Sequence, residues 1–388
     1  MKVIIILCCL WMFVACQNKP EGYLLKGELE GAPDGEWVFL TDMAQRVYYD
    51  SVQLKDGQFE FKGKVEYPEL RCVTYFKDPS QRVYGWKNIL VIPVYIENSE
   101  ICVTLPFTDM PSKSDKVLPG NLCVEGSSVH DLYVVYRSME TPLLVKEDSL
   151  FEAYRNLYYY KTGTEEDVFR CVREMDATRD RLFNVGVEFI RQHSTSPVAL
   201  YVARQLKVRS YTRERAQEVA ALFPDDVKAT SDGQEALKAL LERPLYVGDV
   251  LPDFDVLTTD LKTVKLSGLL TKGHYTLVEL WASWCGPCRA DIPHLKETYQ
   301  RYHPEGFELI SISIDDDRQD WLEAVEQENM AWTQVCGANG KGYYKECMEL
   351  FGTSGVPSCV LIDGEGKVLS TNARGGWLNE KLASIYKK

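Results

Sequence analysis

The spacing of apolar residues changes character twice along this chain. From residue 22 to about 110 the apolar runs are short and rich in β-branched and aromatic side chains: 23–29, 36–40, 48–54, 59–65, 71–76, 89–96 and 101–105. Such runs fit a pleated surface buried on one face. Gly and Asp punctuate them, and Lys55-Asp56-Gly57 between two alternating runs is a hairpin signal. Strands at this spacing predict an all-β, sandwich-like domain over 22–125.

The period then becomes helical. Ser127-Ser128 supplies a cap. Leu132, Val135 and Tyr136 share a face, as do Val185, Phe189 and Ile190, and later Leu237, Leu240 and Leu241. Breaks fall at 162–164, 194–197 and 223–226. The pattern predicts a helical connector over 126–245 with no chemistry of its own. The tyrosine run 158–160 reads as aromatic packing on a helix, a far commoner use than a ligand platform.

Arg243-Pro244 ends the helices, and from 246 to 388 strand and helix alternate. Strand-like runs lie at 275–281, 307–314, 358–362 and 368–371. Helical runs lie at 288–302, 319–327, 343–351 and 378–386. Alternation of this kind predicts an α/β domain.

The chain has 388 residues and a formal net charge of −13, with no Lys/Arg-rich block. That excludes nucleic acid as a partner, because phosphate binding needs a basic face. Residues 1–15 are set apart from the fold: Lys2, an apolar run and Ala15 form a secretory signal, too short to span a bilayer comfortably. Cys16 follows at once, and the junction resembles the lipobox of bacterial lipoproteins. It implies lipidation of Cys16, with 16–21 as a tether. Of 12 cysteines, loss of Cys8 and Cys9 and lipidation of Cys16 would leave nine. An odd number cannot form a fully paired framework within one chain. Cys72, Cys102, Cys123, Cys171, Cys336, Cys347 and Cys359 are scattered and read as buried free thiols. Cys336 and Cys347, 11 apart, could pair, but two unrelated thiols is the plainer reading.

The one C-x-x-C carries the chemistry. An apolar strand ends at Trp281, a short turn carries Cys285, and Ile292, Leu295, Tyr299 and Tyr302 then recur at helical spacing. Cys285 and Cys288 therefore head a helix, where free N–H groups and the dipole favour negative charge. Cys285 is biased toward thiolate, the reactive form, with Cys288 one turn on to close a disulfide. Gly286 and Pro287 fit the tight turn.

Trp284-Cys285-Gly286-Pro287-Cys288 resembles the thioredoxin active site, and 279–285 resembles the strand leading into it. The opening Gly248 to Phe254 and a long insertion over about 315–353 are similar to the envelope-anchored TlpA/ResA type, in the wider thioredoxin family that includes AhpC/TSA proteins. The resemblance covers 246–388 and implies a thioredoxin fold there. It implies that Cys285 is the nucleophile and Cys288 the resolving thiol. Glu279 stands where the family has a buried Asp and would relay a proton. Pro357, in Gly355-Val356-Pro357, matches the cis-proline loop. Trp284, Gly286, Pro287 and Val356 would contact substrate. Pro293 matches the proline that kinks the family's first helix, and Arg374-Gly375-Gly376 is a weaker match to another active-site loop. Asp291 could tune Cys285 or merely charge the helix's first turns. Residues 22–125 look like a β domain of unknown function found before such domains in envelope lipoproteins, on the pattern from Asp50 through Gly57-Gln58-Phe59-Glu60-Phe61 to Gly63.

Other chemistries fit worse. A c-type haem needs His after the second cysteine, and position 289 is Arg. Zinc needs two further ligands, and the five histidines form no ligand-spaced set; His294 reads as a helix-surface residue. A thiol peroxidase of the AhpC/TSA type is the enzymatic alternative, although its signature, a proline, a hydroxyl residue and one cysteine at fixed spacing, is missing from 281–285. A client-binding or assembly lipoprotein with an ancillary redox domain is the non-enzymatic alternative. The expectation is a thiol–disulfide oxidoreductase needing no cofactor or metal. It would face the periplasm from a lipid anchor on Cys16, act on disulfide-bearing envelope proteins and draw electrons from a membrane or periplasmic donor. A Gly-Pro pair resembles thioredoxin, with a potential near about −270 mV, and so points to a reductase serving cytochrome maturation or protein repair.

Overall fold

A computed structural model describes residues 21–77, 88–206, 212–337 and 343–387. The signal segment 1–15 and Cys16 lie outside the described residues. The chain forms two compact units, Met1–Val135 and Tyr136–Lys388.

The first unit begins with strands β1 (Tyr23–Glu30), β2 (Trp37–Thr41), β3 (Tyr48–Gln53) and β4 (Gln58–Gly63). It continues with β5 (Glu69–Phe76), β6 (Ile89–Ile96), β7 (Glu100–Pro106) and β8 (Cys123–Glu125). They form two four-stranded sheets, β4-β1-β7-β8 and β3-β2-β5-β6. Leu25, Leu29 and Phe61 of one sheet share a core with Val38, Leu40, Val73 and Ile92 of the other, which is the expected all-β sandwich. The hairpin at Lys55 also forms. Asp56 and Gly57 both take positive φ, 51° and 73°, as a type I′ turn requires. A Cβ on Gly57 would stand 2.6 Å from the Leu29 carbonyl oxygen.

Two cysteines depart from expectation. Cys102 and Cys123 are exposed, whereas Cys72, Cys171, Cys336 and Cys359 are buried free thiols and Cys347 is buried. Ile101, Val103 and Leu105 point into the core, so strict alternation sends Cys102 outward. Cys123 lies on the edge strand β8.

Helices follow: α1 (Ser128–Tyr158), α2 (Glu165–His193), α3 (Pro197–Gln205), α4 (Arg213–Ala220), α5 (Asp225–Lys228) and α6 (Ser231–Leu241). Their starts are written in side chains. Ser127 Oγ accepts from the His130 N–H at 3.1 Å. Ser196, Thr212 and Thr230 cap α3, α4 and α6. Thr164 forms a reciprocal capping box with Asp167. Thr164→Ala is expected to lower stability by about 1 kcal/mol. It should appear as a lower urea midpoint at unchanged slope; an unmoved midpoint would show the cap to be dispensable.

The α/β part contains β9 (Asp255–Thr258), β10 (Thr263–Lys265), β11 (Tyr275–Trp281), α7 (Gly286–Tyr302), β12 (Phe307–Ser313) and α8 (Arg318–Glu328). After these come β13 (Thr333–Gly337), α9 (Tyr343–Phe351), β14 (Ser358–Ile362), β15 (Val368–Ser370) and α10 (Gly376–Tyr386). The sheet order is β10-β9-β13-β12-β11-β14-β15. The stretch read as an insertion is thus built into the sheet: β13 pairs parallel with β12 and antiparallel with β9. Leu277, Val278, Leu280, Ile310, Ile312 and Val360 fill the core. From Tyr136 onward the helical stretch belongs to the same unit. Tyr154, Tyr158, Val168 and Val172 pack with Trp377 of α10.

Candidate active site

Strand β11 delivers the site. It pairs with β12 on one side and β14 on the other and is buried along six of its seven residues. The chain turns after Trp281, and Asp315 holds the turn. Its carboxylate accepts from the Ser283 N–H at 2.9 Å and from Ser283 Oγ at 2.6 Å. Cys285 is the N-cap of α7, and its sulfur accepts from the Cys288 N–H at 3.2 Å. Pro287 occupies the first helical turn, where no N–H is needed. Cys285 and Cys288 are joined in a disulfide with Cα atoms 5.3 Å apart. Cys288 is fully buried and Cys285 nearly so, while Trp284 between strand and helix is 67% exposed. Gly286 is also exposed and Val356 half-buried.

The register Leu280↔Ser358 brings the start of β14 to the end of β11 from which the cysteine turn departs. The Val356–Pro357 peptide bond at that end is cis, as expected of the loop.

Glu279 lies in the middle of β11, opposite Ser311 and Cys359 in the flanking strands. It is buried. Ser311 Oγ donates to its Oε2 at 2.9 Å and itself accepts from Trp332 Nε1 at 2.9 Å. Oε1 is buried without a hydrogen-bond partner. Burial pushes the carboxyl up to about 7, because a desolvated carboxylate loses its hydration. The Cys359 thiol is likewise pushed well up by burial, with the Glu279 charge adding to it.

Asp291, one turn beyond Cys288, is buried and paired: Arg374 Nε donates to its Oδ2 at 2.7 Å. Arg374 Nη2 donates to the carbonyl oxygen of Pro287, between the two cysteines, at 3.0 Å. The weakly signalled Arg374-Gly375-Gly376 loop therefore reaches the head of α7. His294 differs from its reading as a helix-surface residue. The Tyr158 ring meets it edge-on at 5.2 Å, and burial lowers its pKa. Tyr154 and Tyr158, from the helical stretch, also reach this region, with no motif to announce them. The available signals were their i, i+4 spacing and the paired glycines 375–376.

Parts of the chain match known families. Residues 246–376 match the Redoxin family, and residues 23–133 match a domain of unknown function (DUF4369). The thiol-disulfide oxidoreductase ResA of Bacillus thuringiensis subsp. konkukian is 28% identical over 147 residues, covering 38% of this chain and 80% of the relative. ResA of Bacillus subtilis is 23% identical over 139 residues, covering 36% and 73%. Among solved structures, the thioredoxin domain of a thiol-disulfide oxidoreductase from Bacteroides vulgatus is 30% identical. That match covers 37% of this chain and 97% of the other, with a TM-score of 0.33. A parallel-centred sheet with a helix-head disulfide, within a Redoxin match, is a thioredoxin fold, and the chain that carries it is a thiol–disulfide oxidoreductase.

Proposed function

We propose that the chain reduces disulfides of envelope proteins through the dithiol of Cys285 and Cys288, held at the membrane by a lipid on Cys16. The observation that carries the reading is the closed Cys285–Cys288 bond at the head of α7, beside exposed Trp284 and near the end of β11 where the Val356–Pro357 loop enters. In the reduced protein the Cys285 thiolate attacks one sulfur of a substrate disulfide. The substrate's other sulfur leaves as a thiolate and takes a proton. Cys288 gives up its proton and attacks Cys285, releasing the second substrate thiol and closing the Cys285–Cys288 bond. Two electrons pass to the substrate, and a dithiol donor restores the pair.

Glu279 is proposed as acceptor of the Cys288 proton. Its carboxyl titrates near neutrality, as a proton relay at physiological pH requires. Trp284, Gly286, Pro287, Val356 and Pro357 are proposed as the rim against which an extended substrate lies. The secretory-type start of the chain and Cys16 support the envelope location. Among the described residues no helix is long and apolar enough to cross a membrane.

Direction is tested by the reduction potential of the pair. A value on the order of −270 mV is expected, as for thioredoxin, and one above about −150 mV would make the protein an oxidant instead. Envelope clients are tested by trapping mixed disulfides on Cys285 in Cys288→Ser. Recovery of only non-exported proteins from intact cells would overturn the location.

A further inference from the structure

We propose that Tyr154, in the helical stretch, is a positioning residue for the dithiol: it holds the 374–376 loop so that Arg374 sits against Pro287 and Asp291, and so sets how oxidising the Cys285–Cys288 pair is. The inference rests on the reading of that pair as the redox site.

The contacts form a continuous path. The Tyr154 hydroxyl accepts from the Gly376 N–H at 3.0 Å. Its ring stacks on Tyr158 with centroids 5.2 Å apart and meets Trp377 at 4.8 Å. Trp377 is held in turn: its indole N–H donates to Asp176 at 2.9 Å, and the Arg179 guanidinium lies 5.2 Å from its ring. The loop has no slack against this layer. Gly375 has φ +57°, and a Cβ there would stand 2.7 Å from the Tyr154 hydroxyl. A Cβ on Gly376 would stand 2.7 Å from Val168 Cγ1 and 2.9 Å from Tyr154 Cε2. The paired glycines are therefore demanded by the helical stretch.

Arg374 is the residue immediately before this pinned pair. Its guanidinium bridges the Pro287 carbonyl and the buried Asp291 carboxylate. A positive charge fixed there adds to the field that favours a thiolate at a helix head. It also cancels the Asp291 charge, which would otherwise repel one. Other charged or titratable groups near the head of α7 are Glu279 in β11, Asp315 bonded to Ser283, Arg289 paired with Glu328, and His294, which feels the Asp291 charge. Stabilising the thiolate stabilises the reduced state, which makes a pair more oxidising. When the loop slackens, Arg374 no longer stays on Pro287, the thiolate is less favoured and the pair becomes more reducing.

The test replaces Tyr154→Phe, which keeps the ring and removes the acceptor, and separately Arg374→Gln. Both are made in the full chain with Cys102→Ser and Cys123→Ser, so that exposed thiols do not intrude. Two quantities are read: the equilibrium between the Cys285–Cys288 disulfide and a glutathione buffer, and the pH dependence of Cys285 alkylation. Tyr154→Phe should shift the equilibrium toward the disulfide about threefold to tenfold, up to about 30 mV, and move the alkylation midpoint upward. Arg374→Gln should do the same more strongly, and Tyr160→Phe, exposed two residues past the end of α1, should do neither. A Tyr154→Phe protein that melts at lower temperature with both quantities at the parental value overturns the clamp. A parental protein with no such equilibrium overturns the dithiol reading, and the clamp with it.

Discussion

Cys285→Ser should reduce disulfide turnover to the uncatalysed rate, while Cys288→Ser should retain the first attack and stall with substrate bound through Cys285. The asymmetry follows from position. Cys288 is fully enclosed, whereas Cys285 keeps a small exposure and borders exposed Trp284 and Gly286, so the first sulfur is the better placed to meet an incoming disulfide. The helix-head field acts on the same atom, raising the fraction present as thiolate. With serine at 285 no nucleophile of comparable reactivity remains at the site. With serine at 288 the mixed disulfide has no neighbour to resolve it and persists until an external thiol arrives. Turnover of a disulfide protein with dithiothreitol, and non-reducing mass analysis of the trapped species, read the two outcomes. Exposed Cys102 and Cys123 would form adventitious adducts, so both are replaced by serine throughout. Equal residual turnover in the two variants, or adducts on Cys288 of Cys285→Ser, would contradict the assignment of nucleophile.

Glu279→Gln should change the pH dependence of both stability and rate. The carboxyl, ordinarily near 4.5, is pushed by burial up to about 7. Below about pH 4.5 it is protonated in both folded and unfolded chains and contributes no pH-dependent penalty. Between 4.5 and 7 the folded chain holds the proton more tightly, so stability falls as pH rises, and above 7 the full penalty is present. A displacement of this size corresponds to about 3 kcal/mol. Glutamine is neutral at every pH and still accepts from Ser311. The variant's stability relative to the parent should therefore grow by about that amount between pH 4.5 and pH 8, by urea unfolding with the disulfide closed. The rate should move oppositely. Without a proton acceptor, resolution by Cys288 slows and the limb of the pH–rate profile near 7 disappears. A stability difference that stays constant with pH would mean that Glu279 does not titrate in this range.

Much of the fold is legible in local pattern. All seven strands read between 23 and 105 form, most shifted by a residue or two at their ends, because alternation and turn chemistry are short-range signals. The Asp56-Gly57 hairpin, the cap at Ser127 and the cysteines at the head of α7 are legible for the same reason. Each depends on residues within four positions of one another. The short strands β8, β9, β10 and β13 are not: each mixes polar and apolar residues over three to five positions and lacks an apolar run like the one that marks the equally short β14. Strand β13 exists as a strand because β12 and β9 offer it edges on both sides.

The setting of the cysteines divides in the same way. By itself the sequence determined the disulfide-forming pair and its place at a helix head, and its resemblance to the thioredoxin family implied the proline loop that approaches it. Only the tertiary structure decided that Cys102 points to solvent and that one oxygen of the buried Glu279 is left without a hydrogen-bond partner. It alone joined Asp291 to Arg374 across 83 positions and Tyr154 to Gly376 across 222. Local pattern records how a segment folds onto itself. Which surfaces then meet is set by the shapes and charges left exposed once the segments have formed, and that information is spread over the whole chain.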